Sequence, residues 1–211
     1  MSAIAPREAL LRRGYLLALA TVAWNIFEGV VAILAGTRAQ SVALVGFGVD
    51  SFIETASGLV VGWRLRQELI GGPGGDAEAV ERKASRIAGG LLLLLALYIV
   101  VDAGRRLAGF GERAEGSVLG IALTAVSLAL MPLLGRAKLR TAEGLKSRAL
   151  RADAFETIAC AWLSLTTLAG LVANAALGWW WADPLAAFAL VPLIVREGWE
   201  GWKGPEENRD D

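Results

Sequence analysis

The chain has 211 residues, and its 21 Lys and Arg balance its 21 Asp and Glu, so the formal net charge is zero. Proteins that bind nucleic acids normally carry a basic excess, and this balance argues against that class. The sequence contains no His and a single Cys, Cys160. This composition excludes a Ser-His-Asp triad, His-based metal sites, Cys-cluster zinc sites and a disulfide within the chain.

Hydrophobic residues make up 55 % of the chain and concentrate in six stretches. In chain order these stretches cover residues 14–36, 40–63, 87–104, 116–135, 152–177 and 181–195. A helix needs about 20 mostly apolar residues to cross the hydrocarbon core of a bilayer. A water-soluble helix shows a polar face, which the LLLLLALYIVV segment of the third stretch lacks. We therefore predict an all-α integral membrane protein with six transmembrane helices.

Basic residues predict how these helices are oriented. Residues 1–13 form an N-terminal segment, residues 14–196 the transmembrane domain, and residues 197–211 a short tail, whose polar end GPEENRDD is expected to be disordered. Lys and Arg cluster in the two terminal segments and in the loops after the second and fourth stretches. The loop after the fourth stretch is expected to carry Arg136, Lys138, Arg140, Lys146, Arg148 and Arg151. Because basic loops stay on the cytoplasmic side, both termini are expected in the cytoplasm.

Acidic residues inside the predicted helices are the most specific indication of function. A charged side chain at the bilayer centre costs at least about 2.5 kcal/mol, so it faces the bundle or a wet cavity. No Lys or Arg falls inside the six stretches, so these acids are expected to be protonated, hydrated or paired with an external cation. Each of these states indicates cation or proton transport. The acids concerned are Glu28, Asp50, Glu54, Asp102, Asp153, Glu156 and Asp183.

Two pairs of candidate metal ligands are spaced one helical turn apart. Asp50 and Glu54 lie on the second stretch, and Glu156 and Cys160 repeat the spacing on the fifth. Residues at i and i+4 share a helix face, so three carboxylates and one thiol converge if these two faces meet. Four ligands that include a thiolate suit Zn²⁺ better than Mg²⁺ or Ca²⁺. The alternatives are protonated carboxyl groups that hydrogen-bond within the bundle, and a Cys160 that serves only as a small buried apolar residue.

Four further residues carry weaker predictions. Asp153 is a weaker candidate ligand, an outer partner of the ligands, or an N-cap of the fifth helix, and its LRAD context favours the cap. Glu28 is a candidate proton carrier, and Asn25, one turn earlier, is expected to hydrogen-bond a neighbouring helix. Together, Glu28 and Asn25 mark a candidate proton or ion pathway. Asp183 is expected to cap the sixth helix.

Two stretches resemble helices of the cation diffusion facilitator family. SVALVGFGVDSFIETASGLVVGWRLR is similar to the family's second helix, whose Asp-x-x-x-Asp pair corresponds here to Asp50 and Glu54. LRADAFETIACAWLSLTTLAGL is similar to the fifth helix, and the family's His-x-x-x-Asp falls on Glu156 and Cys160. The DAGRRL ending of the third stretch and the WADPL opening of the sixth also resemble the family.

This resemblance implies a bundle of six helices that exports divalent transition metals and exchanges cytoplasmic metal for protons by alternating access. The metal site is expected between the second and fifth helices, and the protein is expected to be a homodimer without a prosthetic group. The chain resembles a short branch that lacks the family's C-terminal cytoplasmic domain, so dimerisation is expected to rest on the membrane helices. Zn²⁺ is the expected cargo, although the altered ligands prevent the family's metal preference from being carried over.

Other function classes remain open on the sequence alone. The acids suit a cation channel or proton-conducting protein, or a zinc-binding membrane protein without exchange. A multidrug exporter would need an aromatic-lined cavity, and aromatic residues are only 8 % of the chain. An enzyme is not expected, because no nucleophile–base pair is visible. The expected partners are a divalent metal ion, protons and the lipid bilayer, and the composition fits a bacterial inner membrane.

Overall fold

The computed structural model describes residues 7–71, 77–110 and 115–203, and this part of the chain is an all-α bundle of six helices. Each predicted stretch corresponds to one helix, which confirms the predicted fold class. The predicted C-terminal tail from residue 204 onwards lies outside the described residues. The helices are α1 (Arg7–Arg38), α2 (Val42–Leu69), α3 (Ala77–Leu107), α4 (Val118–Leu145), α5 (Arg148–Leu177) and α6 (Ala182–Lys203).

The helices are longer than the predicted stretches, mainly at the ends expected to be cytoplasmic. α1 begins at Arg7, α4 continues to Leu145 and α6 continues to Lys203. Hydropathy marks where the chain leaves an apolar layer, whereas backbone hydrogen bonding continues through the polar turns beyond it. The predicted loop after the fourth stretch is therefore mostly helix, and only Lys146 and Ser147 separate α4 from α5.

The six helices pack as three neighbouring pairs. α1 packs along α2, α4 along α5 and α3 along α6, while α1 also contacts α4 and α2 also contacts α5. The first, second, fourth and fifth helices thus form a four-helix group, and the α3–α6 pair packs on its α2 and α5. The crossing of α1 and α2 is close because Gly48 has no side chain. A Cβ there would lie 2.9 Å from the Cβ of Ala32 and 3.0 Å from the backbone N of Ile33.

The surface and the interior are distributed as expected for a protein surrounded by lipid. Among the described residues, four helices, α1, α2, α4 and α5, are long and apolar enough to cross a membrane, by length and composition. Large apolar side chains face outwards, such as Leu94 with 64 % and Trp162 with 63 % of their surface exposed. Polar side chains face inwards, and Asn25, Glu28 and Lys138 are fully buried. Buried polar groups in such a bundle typically mark a functional pathway.

Candidate metal site

The α2 half of the candidate site is a buried face that carries Asp50 and Glu54. These residues expose only 6 % and 7 % of their surface. One turn further along, Gly58 lies beside α5, because a Cβ at this position would lie 3.8 Å from Asp153 Oδ1. The α2 face that carries the two predicted ligands therefore packs towards α5.

The α5 half carries the other two predicted ligands. Cys160 is a free thiol with 1 % of its surface exposed, and Glu156 is half-buried one turn earlier. Glu54, Glu28 and Asp50 all act electrostatically on Cys160, so the two predicted faces contribute to one region. In residues 7–71, 77–110 and 115–203, no three His, Cys, Asp or Glu side chains are grouped closely enough to hold a metal ion. Coordination of one ion by the four predicted ligands stays a prediction.

Glu54 has a buried carboxylate whose two oxygens accept no hydrogen bond of normal geometry. Lys138 of α4 and Asp153 of α5 act on it through their charges, and the hydroxyl of Thr157 and the thiol of Cys160 on α5 are nearby hydrogen-bond donors. Removing a charged group from water costs several kcal/mol unless hydrogen bonds and opposite charges compensate it. Binding of a cation beside Glu54 would therefore be more favourable than binding beside a carboxylate that is already hydrogen-bonded.

Lys138 supplies a basic partner that the sequence analysis did not anticipate. It lies inside α4 rather than in a loop and is fully buried. Its Nζ lies 2.8 Å from Asp153 Oδ2 and donates a hydrogen bond to Thr157 Oγ1 at 3.0 Å. The prediction that the buried acids have no basic partner is therefore wrong for Asp153. The apolar stretch ends at Gly135, so Lys138 was assigned to a loop. α4 continues beyond Gly135, and the face that carries Lys138 stays buried in the bundle.

The prediction that Asp153 caps the fifth helix is also wrong. α5 begins at Arg148, and its N-cap is Ser147, whose side chain accepts a hydrogen bond from the backbone N–H of Leu150. Asp153 lies in the second turn of α5 with 1 % of its surface exposed. Because Asp153 pairs with Lys138, it lies beside the candidate ligands as an outer partner. Direct metal ligation by Asp153 stays a weaker prediction.

Glu28 is held by hydroxyl groups from two other helices. Its carboxylate accepts hydrogen bonds from Ser51 of α2 at 3.1 Å and from Ser127 of α4. Trp24 Nε1 donates to Ser127 Oγ at 3.1 Å, which extends this network along α1. Asn25 is fully buried and neither of its amide atoms forms a hydrogen bond, so the predicted bond to a neighbouring helix is absent. A role for Glu28 and Asn25 in a proton or ion pathway stays a prediction.

Asp102 and Asp183 stabilise the other end of the bundle. Asp183 accepts hydrogen bonds from the hydroxyl of Ser41 and, at 3.0 Å, from the following backbone N–H. It therefore caps α2 rather than its own helix, because the free N–H groups at the start of α2 lie beside it. Asp102 Oδ2 lies 2.9 Å from Arg106 Nε. The prediction that the acids have no basic partner is thus wrong for Asp102 as well, since α3 continues far enough to bring this Arg one turn away.

Comparison with known proteins identifies the family. The chain matches the cation efflux transmembrane domain over residues 18–203. It belongs to the cation efflux family. The predicted resemblance is thereby confirmed, and this cation efflux protein is a multi-pass membrane transporter that exports metal cations and not an enzyme.

Two relatives illustrate the similarity. The chain is 28 % identical over 206 residues to the manganese efflux system protein MneS of Bacillus subtilis (strain 168). The aligned region covers 95 % of this chain and 70 % of that protein. It is 31 % identical over 157 residues to the uncharacterized transporter sll1263 of Synechocystis sp.. This aligned region covers 71 % of this chain and 49 % of that protein.

The sequence contained a signal for the residues of α4 that sequence analysis missed. Extending the helical periodicity of α4 beyond Gly135 places Lys138 on the same face as Ser127. Ser51 had no comparable signal, because its role depends on the position of Glu28 in another helix. The buried face of α4 recurs every three or four residues, at two points with an adjacent pair, and comprises Gly120, Leu123, Thr124, Ser127, Met131, Gly135, Lys138, Thr141, Ala142 and Leu145.

Proposed function

We propose that this cation efflux protein moves a divalent transition-metal ion out of the cytoplasm in exchange for protons, and that Asp50, Glu54, Glu156 and Cys160 bind the ion. The observation that carries the proposal is the buried carboxylate of Glu54, which accepts no hydrogen bond of normal geometry and lies beside the hydroxyl of Thr157 and the thiol of Cys160 on α5. A bound cation would supply the compensation that the protein itself leaves incomplete. A homodimer formed through the membrane helices, and cytoplasmic termini in a bacterial inner membrane, complete the proposal.

The chemistry of the ligands supports exchange with protons. Carboxylates and thiols bind a metal ion in their deprotonated forms, so metal binding releases protons. In the empty site, several negative charges in a low-dielectric bundle would repel one another, and protons relieve this repulsion. Binding of metal on the cytoplasmic side followed by protonation from the other side therefore couples the two fluxes in opposite directions.

Zn²⁺ is the cargo that a set of four ligands with one thiol favours, and Mn²⁺ is a second candidate. The thiol of Cys160 favours softer ions such as Zn²⁺ and Cd²⁺. The similarity to a protein named as a manganese efflux system supports Mn²⁺, as do the three carboxylates, because oxygen ligands suit that ion. The contribution of one sulfur atom therefore distinguishes the two candidates.

Metal-driven proton movement in proteoliposomes tests the proposal. With the cytoplasmic face outside, adding Zn²⁺ or Mn²⁺ is expected to load the vesicles with metal and raise the internal pH reported by a trapped dye. Protein-free vesicles measure the leak, and added Ca²⁺ measures the response to a hard divalent ion. Metal uptake without proton movement would contradict the exchange and favour a channel. Absence of uptake for every transition metal by folded protein would contradict transport.

Replacement of Cys160 with Ser tests the identity of the cargo. If the thiol is a ligand, this change is expected to weaken binding of Zn²⁺ and Cd²⁺ by at least about tenfold, because a hydroxyl is a poor ligand for soft ions, while Mn²⁺ binding changes little. Isothermal titration of the purified protein measures the three dissociation constants. Unchanged Zn²⁺ and Cd²⁺ affinities would show that Cys160 only fills space in the core.

A further inference from the structure

The ion pair between Lys138 and Asp153 is the only ion pair in the described residues whose two side chains are both fully buried. The ammonium group also donates to Thr157 Oγ1, and Thr157 in turn donates to the carbonyl oxygen of Asp153 at 2.9 Å. Burying two charges is costly, so stability alone is a weak reason for such a pair. Its position beside the candidate metal site suggests a different role.

Lys138 acts on two carboxylates that belong to different helices. Asp153 of α5 is in direct contact with it, and Glu54 of α2 is attracted to it electrostatically. Asp153 also lies near the α2 face, because a Cβ on Gly58 would lie 3.8 Å from its Oδ1. Without Lys138, Asp153 would therefore add a second negative charge close to the charge of Glu54.

We propose that Lys138 is a positioning residue of the metal site, whose ammonium group engages Asp153 and so limits the ion to the carboxylates and thiol of Asp50, Glu54, Glu156 and Cys160. This inference rests on the metal site of the proposed function. Lys138 and Asp153 together add no net charge to the site. Lys138 alone would make the electrostatic potential there more positive, and Asp153 alone would make it more negative. The balanced pair thus keeps metal binding weak enough for release, which an exporter requires at each cycle.

The two single substitutions are expected to change metal affinity in opposite directions. Lys138→Met leaves the charge of Asp153 near Glu54 and is expected to tighten binding of the transported metal by at least about tenfold. Asp153→Asn leaves the charge of Lys138 uncompensated and is expected to weaken binding by at least about tenfold. The double variant Lys138→Met/Asp153→Asn restores the balance and is expected to bind within about threefold of the wild type.

Equilibrium titration of purified full-length protein with Zn²⁺ and Mn²⁺, at one fixed pH, measures these dissociation constants. Thermal unfolding of each variant checks that it is folded. Arg106→Met breaks the ion pair with Asp102 on α3, and it serves as the matched control that leaves metal affinity unchanged. If Lys138→Met fails to fold, the comparison moves to the other two variants, and the double variant has to bind at least about tenfold more tightly than Asp153→Asn.

The outcomes separate this inference from the proposed function. Opposite shifts in the single variants, with recovery in the double variant, support the role of Lys138. Shifts in the same direction, or no shifts, overturn it and leave the pair as a structural connection between α4 and α5. Failure of the wild type to bind either metal, or wild-type binding by an Asp50→Ala variant, would overturn the proposed metal site itself.

Discussion

Replacing Glu54 with Gln is expected to abolish metal transport without lowering the stability of the protein. The carboxylate of Glu54 is buried and accepts no hydrogen bond of normal geometry, and the cost of removing its negative charge from water exceeds the attraction that Lys138 returns. A neutral amide of the same shape costs less to bury than a carboxylate. The metal ion, by contrast, loses a charged ligand, which is expected to reduce its affinity on the order of 100-fold or more.

Metal uptake into proteoliposomes and thermal unfolding together check this prediction. Asp50→Ala is expected to abolish transport in the same way, because it removes the partner ligand on the same face of α2. Glu68→Gln is the matched control, since Glu68 also lies on α2 but is exposed at the surface and pairs with Arg7. It is expected to retain transport. Uptake by Glu54→Gln at the wild-type rate would contradict the assignment of Glu54 as a ligand.

Adding one methyl group to α2 is expected to have very different effects at two of its glycines. A Cβ at Gly48 would lie 2.9 Å from both Ala32 Cβ and Ile33 Cγ1 and 3.0 Å from a backbone N of α1, whereas a Cβ at Gly62 would meet only Ala18 Cβ at 3.6 Å. Gly48→Ala is therefore expected to force α1 and α2 apart and destabilise the protein by about 1–3 kcal/mol. Gly62→Ala is expected to be neutral or to stabilise it by up to about 1 kcal/mol, because Ala favours the helix.

Unfolding of the two variants in the same detergent measures this difference. Gly48 lies two residues before Asp50, so separation of α1 from α2 is also expected to weaken metal binding in Gly48→Ala but not in Gly62→Ala. Equal unfolding temperatures for the two variants would contradict the close packing of α1 on α2. A loss of stability without any change in metal affinity would show that Asp50 is positioned independently of this crossing.

The helices were predictable, and the candidate ligands could be proposed, because the signals for both are local. Long apolar stretches predict helices that cross a membrane, and the i, i+4 spacings of Asp50 with Glu54 and of Glu156 with Cys160 place each pair on one helix face. The family motif could also be recognised from two short stretches of sequence. Helix ends were less predictable, because backbone hydrogen bonds continue into polar segments that hydropathy excludes.

The sequence by itself therefore determined the class of the protein, the order of its helices and the residue types available for a metal ion. Only the tertiary structure decided which groups of other helices compensate the buried charges. Lys138 contacts Asp153 from a different helix, Ser127 of α4 holds Glu28 of α1, and Asp183 of α6 caps α2. Such partners lie on different helices, and helix packing brings them together. A buried charge in a low-dielectric bundle is costly unless a compensating group lies beside it.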